Sequence, residues 1–385
     1  MIPYGRQHIS DDDVEAVIAA LRSDWLTQGP GVPRFEDAVK AKVEAGYAVA
    51  VNSATSALHI ACLALGVGSG DVVWTSPNTF VASANCARYC GAHVDFVDID
   101  PCTYNVSTDA LRRKLELAER NGRLPKVVIP VHFSGQSCDM RSIRELSTHY
   151  GFKVIEDASH AIGGQYLGRP IGSCLFSDIT VFSFHPVKII TTCEGGLATT
   201  NDAQLAASMR RLRSHGITRD PSEMLTSEAA PWYYEQQELG FNYRMTDVQA
   251  ALGESQLHRL SEYVLRRNAL ASRYSEALQG LPLQLPSTQA GATSAFHLYV
   301  VRVLKNAQGV TRDSLFALLR DQDIGVNVHY IPVHLQPYYR ELGFVAGQYP
   351  EAEAYGREGI TLPLFPTMAP SDQERVIRAV RGAFE

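Results

Sequence analysis

Two periods alternate along the chain. Short β-branched, apolar runs predict strands at 48–51, 72–75, 94–97, 127–131, 152–155 and 179–184. Between the first five lie stretches with apolar residues every third or fourth position, which predict helices near 54–66, 80–90, 109–118 and 140–150. This strand–helix rhythm implies an α/β fold, a mainly parallel sheet with helices on both faces. Ahead of it, helices are predicted at 10–23, where Asp11, Asp12 and Asp13 suit the positive end of the helix dipole, and at 33–45, with a loop over 24–31. Gly163, Gly164, Gly168 and Gly172 do not form G-x-G-x-x-G, so 165–173 reads as a hairpin rather than a dinucleotide fingerprint. Residues 218–236 read as a loop with Pro221 and Pro231.

A long helix is predicted over 247–280, capped by Thr246 and stopped by Gly280 and Pro282. Beyond it come a strand at 297–303, a helix at 312–322, a strand near 326–330 and a terminal helix at 371–384. The pattern divides the chain into a large domain, 1–255, and a smaller α+β C-terminal domain, 256–385, with the boundary in the long helix.

Composition narrows the function. The 385 residues carry a net charge of −6, which argues against a general nucleic-acid binder. The seven cysteines contain no C-x-x-C and are odd in number, so neither a zinc ribbon nor a disulfide framework is indicated. Cys86 and Cys90 read as small core residues of a helix. No uncharged run reaches the length of a membrane span and the N-terminus does not resemble a signal peptide, so a cytoplasmic, reduced protein without a membrane partner is expected.

The candidate chemistry centres on 178–196. Pro186 ends the strand at 179–184, and Lys188 follows between Val187 and Ile189. A lysine in apolar surroundings loses charge readily and becomes a nucleophile able to form a Schiff base, although the local pattern equally fits a lysine that snorkels to water. Asp157 ends the strand at 152–155, and Asn52-Ser53-Ala54-Thr55 bridges a strand and a helix. Small hydroxyl residues there cap the helix and leave free N–H groups for an anion. A lysine for an aldehyde, an acid for a ring nitrogen and a phosphate cradle are what pyridoxal 5′-phosphate requires. His329 and His334 lack a third ligand at recognisable spacing, so no metal is expected.

Asn52-Ser-Ala-Thr, Pro77-Asn-Thr-Phe80, Glu156-Asp157-Ala-Ser-His160, Ser183-Phe-His-Pro-Val-Lys188, Glu194-Gly-Gly and Gly240-Phe-Asn-Tyr-Arg-Met-Thr-Asp247 resemble, in this order, the motifs of the nucleotide-sugar aminotransferases. These are pyridoxal-phosphate enzymes of fold type I. Pro3-Tyr-Gly-Arg-Gln, Leu26-Thr-Gln-Gly-Pro, Ser214-His-Gly-Ile-Thr and Val328-His-Tyr-Ile-Pro-Val-His are most similar to the branch that serves pseudaminic acid synthesis.

The resemblance implies an enzyme that transfers an amino group from L-glutamate to the keto carbon of a UDP-linked sugar, working as a homodimer with shared sites. It implies Lys188 as the lysine bonded to the cofactor, Asp157 on the ring nitrogen, Phe80 stacked on the ring, and His160 at the ring's oxygen-bearing edge or orienting Asp157. Ala54, Thr55 and Ser183 would hold the phosphate, joined by Asn242 from the neighbouring subunit, and His185 would sit near the sugar. Tyr4, Asp24, Trp25, Leu26, Thr27, His329, Tyr330, Ile331 and Pro332 would bind the nucleotide sugar. A lysine at 188 argues against dehydration of the sugar, because relatives that catalyse it carry histidine there.

Overall fold

The computed structural model describes residues 1–226 and 230–385, so part of the predicted 218–236 loop lies outside the described residues. Its centre is a seven-stranded sheet in the order Tyr47–Val51, Gly196–Thr200, Ile179–Ser183, Lys153–Asp157, Val127–Ile129, Val72–Thr75, His93–Phe96. Parallel pairs join the strands from Ile179–Ser183 to His93–Phe96. Gly196–Thr200 runs against both of its neighbours. The strands are buried along most of their length, as a sheet covered on both faces requires.

Helices Ala54–Ala64, Ala82–Tyr89, Thr108–Arg120 and Met140–Tyr150 fill the crossovers. Ala54–Ala64 is buried on nearly every side of its first two turns, and Ser53 caps it by accepting from the Ser56 N–H. Cys86 is fully buried and Cys90 half-buried. The 165–173 segment is a hairpin, pairing Gln165–Tyr166 with Arg169–Pro170. Gly168 takes the positive φ its turn demands.

Several elements differ from the expectation. The long helix is two, Asp247–Leu257 and Leu260–Leu278. Arg259 breaks it with φ −98° and ψ 1°, and its guanidinium pairs with buried Asp13 of the first helix at 2.5 Å. The stretch at 326–330 makes one bridge, Asn327 with Thr361, then turns away through a cis His329–Tyr330 bond. Gly196–Thr200 was legible only as glycine-turn sequence, because its strand is Gly-, Ala- and Thr-rich and short.

A second sheet, in the order Leu283–Gln284, Tyr299–Val303, Gly359–Leu362, is antiparallel. Its apolar residues share a core with Leu260–Leu278, Arg312–Asp321 and Pro370–Gly382. Residues Val333, Tyr339, Tyr349, Ala352 and Tyr355 instead join the core beneath the seven-stranded sheet. The chain therefore crosses back over the ends of the central strands, and Tyr330 enters the cavity described next. Among the described residues no helix is long and apolar enough to cross a membrane.

Candidate active site

A cavity of about 460 Å³ opens beyond the carboxyl ends of the central strands, where ligands of open α/β sheets sit. Each wall follows from a strand end. After Tyr47–Val51 come Ser53, Ala54 and Thr55, and after Val72–Thr75 come Thr79 and Phe80. Lys153–Asp157 ends on Asp157, followed by Ser159 and His160. Ile179–Ser183 ends on Ser183, followed by His185 and Lys188. Tyr4, Asn327, His329 and Tyr330 close the far side.

Strand alternation sends Asp157 into the cavity and its neighbour Glu156 to the opposite face. Asp157 is buried, and both of its oxygens are held. Ser83 donates to Oδ2 at 2.6 Å, and the Ser159 N–H donates to Oδ1 at 3.1 Å. Lys188 lies outside any regular element, its N–H bonded to His185 O at 2.9 Å. Burial of its amine pushes its pKa down to about 8, against an upward pull from Asp157. A substantial fraction of neutral amine is therefore present near physiological pH.

Phe80 is 57% exposed, at the cavity wall, with a free aromatic face and its centroid 6.0 Å from the Tyr330 ring. His160 is buried. Its Nδ1 accepts from the Ser134 N–H at 3.3 Å, and Nε2 faces Tyr330 Oη at 3.2 Å. An accepting Nδ1 places the proton on Nε2, so Nε2 donates to the phenol and the phenol's proton is free for another acceptor. Burial, with Lys188 and His329 adding repulsion, holds His160 well below the usual histidine range. Both of its nitrogens are thus taken, and neither is bonded to Asp157; Ser83 and Ser159 orient that acid instead. His329 is pushed down to about 3 by burial and by Lys188, and Thr361 Oγ1 lies 2.8 Å from its Nδ1. Burial raises the Tyr4 phenol, with a bond to Asn327 opposing in part.

Other expected residues lie elsewhere. Asp24, Trp25, Leu26 and Thr27 are exposed and line no part of this cavity. They run beside the start of Asp247–Leu257, where the Asp247 N–H donates to Leu26 O at 3.0 Å and Thr27 bridges Thr246. Asn242, expected to serve the neighbouring subunit's site, is exposed, bridged to Ser214, and off this chain's own cavity. Ile331 is exposed and Pro332 is buried against Gly356, because the backbone turns outward after Tyr330. His334 is paired with Glu353 at 3.0 Å. Conversely, Thr79, Ser83, Ser159, Glu194 and Asn327 were given no role at the site.

The residues present fit pyridoxal phosphate. A lysine with a depressed pKa, an anchored carboxylate, an exposed aromatic ring and a helix N-terminus converge on one cavity. The phosphate end is tightly built, since a Cβ on Gly196 would come within 2.4 Å of Ala54 N. Fold and cavity together define a pyridoxal-phosphate-dependent aminotransferase of fold type I.

The chain belongs to the DegT/DnrJ/EryC1/StrS aminotransferase family, whose model matches residues 7–381. The spore coat polysaccharide biosynthesis protein SpsC of Bacillus subtilis is 41% identical over 383 residues, covering 99% of this chain and 96% of its own. Spr1654 of Streptococcus pneumoniae in its PMP form superposes with a TM-score of 0.89 at 29% identity, covering 100% of this chain and 99% of its own. Helicobacter pylori PseC, an aminotransferase involved in the biosynthesis of pseudoaminic acid, superposes with a TM-score of 0.91 at 27% identity, with the same coverage. The chain is accordingly a sugar aminotransferase.

Proposed function

We propose that the enzyme transfers the amino group of L-glutamate to C4 of a UDP-linked 2-acetamido-2,6-dideoxy-hexos-4-ulose. The product is UDP-4-amino-4,6-dideoxy-N-acetyl-β-L-altrosamine, so the enzyme is the transaminase of pseudaminic acid synthesis, acting in the cytoplasm. The observation that carries the reading is the single cavity that holds Lys188 and Asp157 opposite Tyr4, His329 and Tyr330. The stretches around Tyr4, Thr27, His215 and His329 that are most similar to that branch, and the full-length likeness to PseC, support the choice of sugar.

Bound pyridoxal phosphate supplies an aldehyde that bonds amines and a ring that takes up the electron pair when the C–H bond beside the nitrogen breaks. Lys188 would hold that aldehyde at rest and would give way to the glutamate amine. Its freed amine would take the proton from the glutamate α-carbon and pass it on, as general base and then acid. Water would supply the keto oxygen of the 2-oxoglutarate that leaves first, and the keto sugar would lose its oxygen as water on taking the amino group, with the same lysine running the proton transfer in reverse at the sugar C4. Asp157 would hold the proton on the ring nitrogen, and Phe80 would lie against the ring. Ala54, Thr55 and Ser183 hold the phosphate, while His185 and Tyr330 face the sugar.

The enzyme works as a homodimer in this reading. Asn242 and residues 24–27 are exposed and lie off this chain's own cavity, which suits service to the neighbouring subunit's site.

A second reading, another keto nucleotide sugar as substrate, is favoured by the higher identity to SpsC. Mass spectrometry of the product formed from glutamate and the UDP-linked 4-keto sugar tests the first reading. Amine formation from dTDP-linked ketosugars but not from the UDP-linked one would establish the second.

A further inference from the structure

Asp157 does not stand alone. Ser83 Oγ lies 2.6 Å from Asp157 Oδ2, and Thr79 Oγ1 lies 2.7 Å from Ser83 Oγ. All three are buried, Ser83 completely. Counting protons gives the chain a direction. An ionised carboxylate only accepts, so the one Ser83 proton goes to Asp157, and Thr79 must then donate to Ser83. Two hydroxyl dipoles are thereby aligned with their positive ends toward Asp157, in a setting where such chains reinforce one another. Thr79 immediately precedes Phe80, and Ser83 lies three residues after it, in the first turn of Ala82–Tyr89. One short segment therefore carries the ring-facing aromatic and the donors to the acid.

We propose that Ser83, backed by Thr79, is a positioning residue that sets the basicity and orientation of Asp157, and through it how firmly the ring nitrogen of the bound cofactor stays protonated. This rests on the reading of Asp157 as the partner of that nitrogen. With the Ser83 donor removed, the carboxylate is a stronger base and is free to turn, so the proton shared with the ring shifts toward the acid. A less firmly protonated ring withdraws less charge from the bond between cofactor and Lys188. The proton on that bond is then held to higher pH.

The test is a pH titration of the bound cofactor's absorbance in the holoenzyme, made with and without substrates. Ser83→Ala is expected to raise the midpoint by about one unit and to lower kcat roughly tenfold, with KM for the nucleotide sugar within about twofold. Ser83→Cys keeps the size but is a poor donor, and should match Ser83→Ala. Thr79→Val should give a smaller shift in the same direction. An unchanged midpoint in Ser83→Ala or Ser83→Cys, alongside a shifted midpoint in Asp157→Asn, overturns the proposal and makes Ser83 a packing residue. An unchanged midpoint in Asp157→Asn as well overturns the reading of Asp157 on which the proposal rests.

Discussion

Glu156 and Asp157 are consecutive residues of one strand, both buried, and they have opposite surroundings. Glu156 faces a closed pocket of donors. His132 Nε2 lies 2.6 Å from its Oε2, and Ser177 and Thr180 donate to Oε1. Burial alone would raise its pKa, but these bonds outweigh it and hold the carboxyl below its ordinary value. Asp157 has two donors and one open side, toward Lys188 and the cavity. Satisfied on every side, a buried carboxylate stiffens the sheet. With an edge left open, it remains available to a ligand. The chemical difference between adjacent acids therefore lies in the strand's pleat rather than in residue type.

The sharpest way to break this contrast is at the open face. Lys188→Ala should lower turnover by at least about 10³-fold and remove the absorbance band that arises from the bond between Lys188 and the cofactor; retained activity would sink the assignment. Next, Asp157→Asn should lower kcat by roughly 10²-fold while the melting temperature moves little, measured by steady-state kinetics and thermal unfolding. Glu156→Gln should do the reverse, costing about 2–3 kcal/mol of stability with kcat of the folded enzyme within about twofold.

The pH dependence divides in the same way. With its folded pKa depressed, Glu156 contributes stability that is present above its unfolded value of 4.5 and lost as pH falls through the folded one. Lys188, depressed from 10.5 to about 8, makes the apoprotein gain stability as pH rises between those values. Chemical denaturation of the apoprotein across pH checks both limbs, and each should vanish in Glu156→Gln and Lys188→Ala respectively. The smallest effect is expected from Phe80→Ala, a loss in cofactor affinity of about 0.5–1.5 kcal/mol, read from the dissociation constant.

The same contrast explains what the sequence reveals. Lys188, Asp157, Phe80, His160 and the 53–55 turn follow strand ends, and strand ends are legible because buried parallel strands are continuous apolar runs. The topology brings them together without further information. Residues 24–27 were expected at the sugar, and in the single chain they lie away from the cavity; Asn242, expected at the neighbouring subunit's site, also lies off this chain's own cavity. Their placement depends on loop paths that no periodicity encodes. Ser83 looks like any small residue in a helix, and its bond to Asp157 exists only because another strand's end approaches it. The break at Arg259 likewise depends on Asp13, far away in the chain.

Gly196 has a consequence for anyone who redesigns this enzyme. An added methyl group there would strike the main chain of Ser53 and Ala54, which has no rotamer with which to yield. No second-site change of side chain can relieve that collision. Libraries meant to alter sugar preference should therefore hold this corner invariant and diversify the opposite rim, at Tyr4, Asn327 and Tyr330.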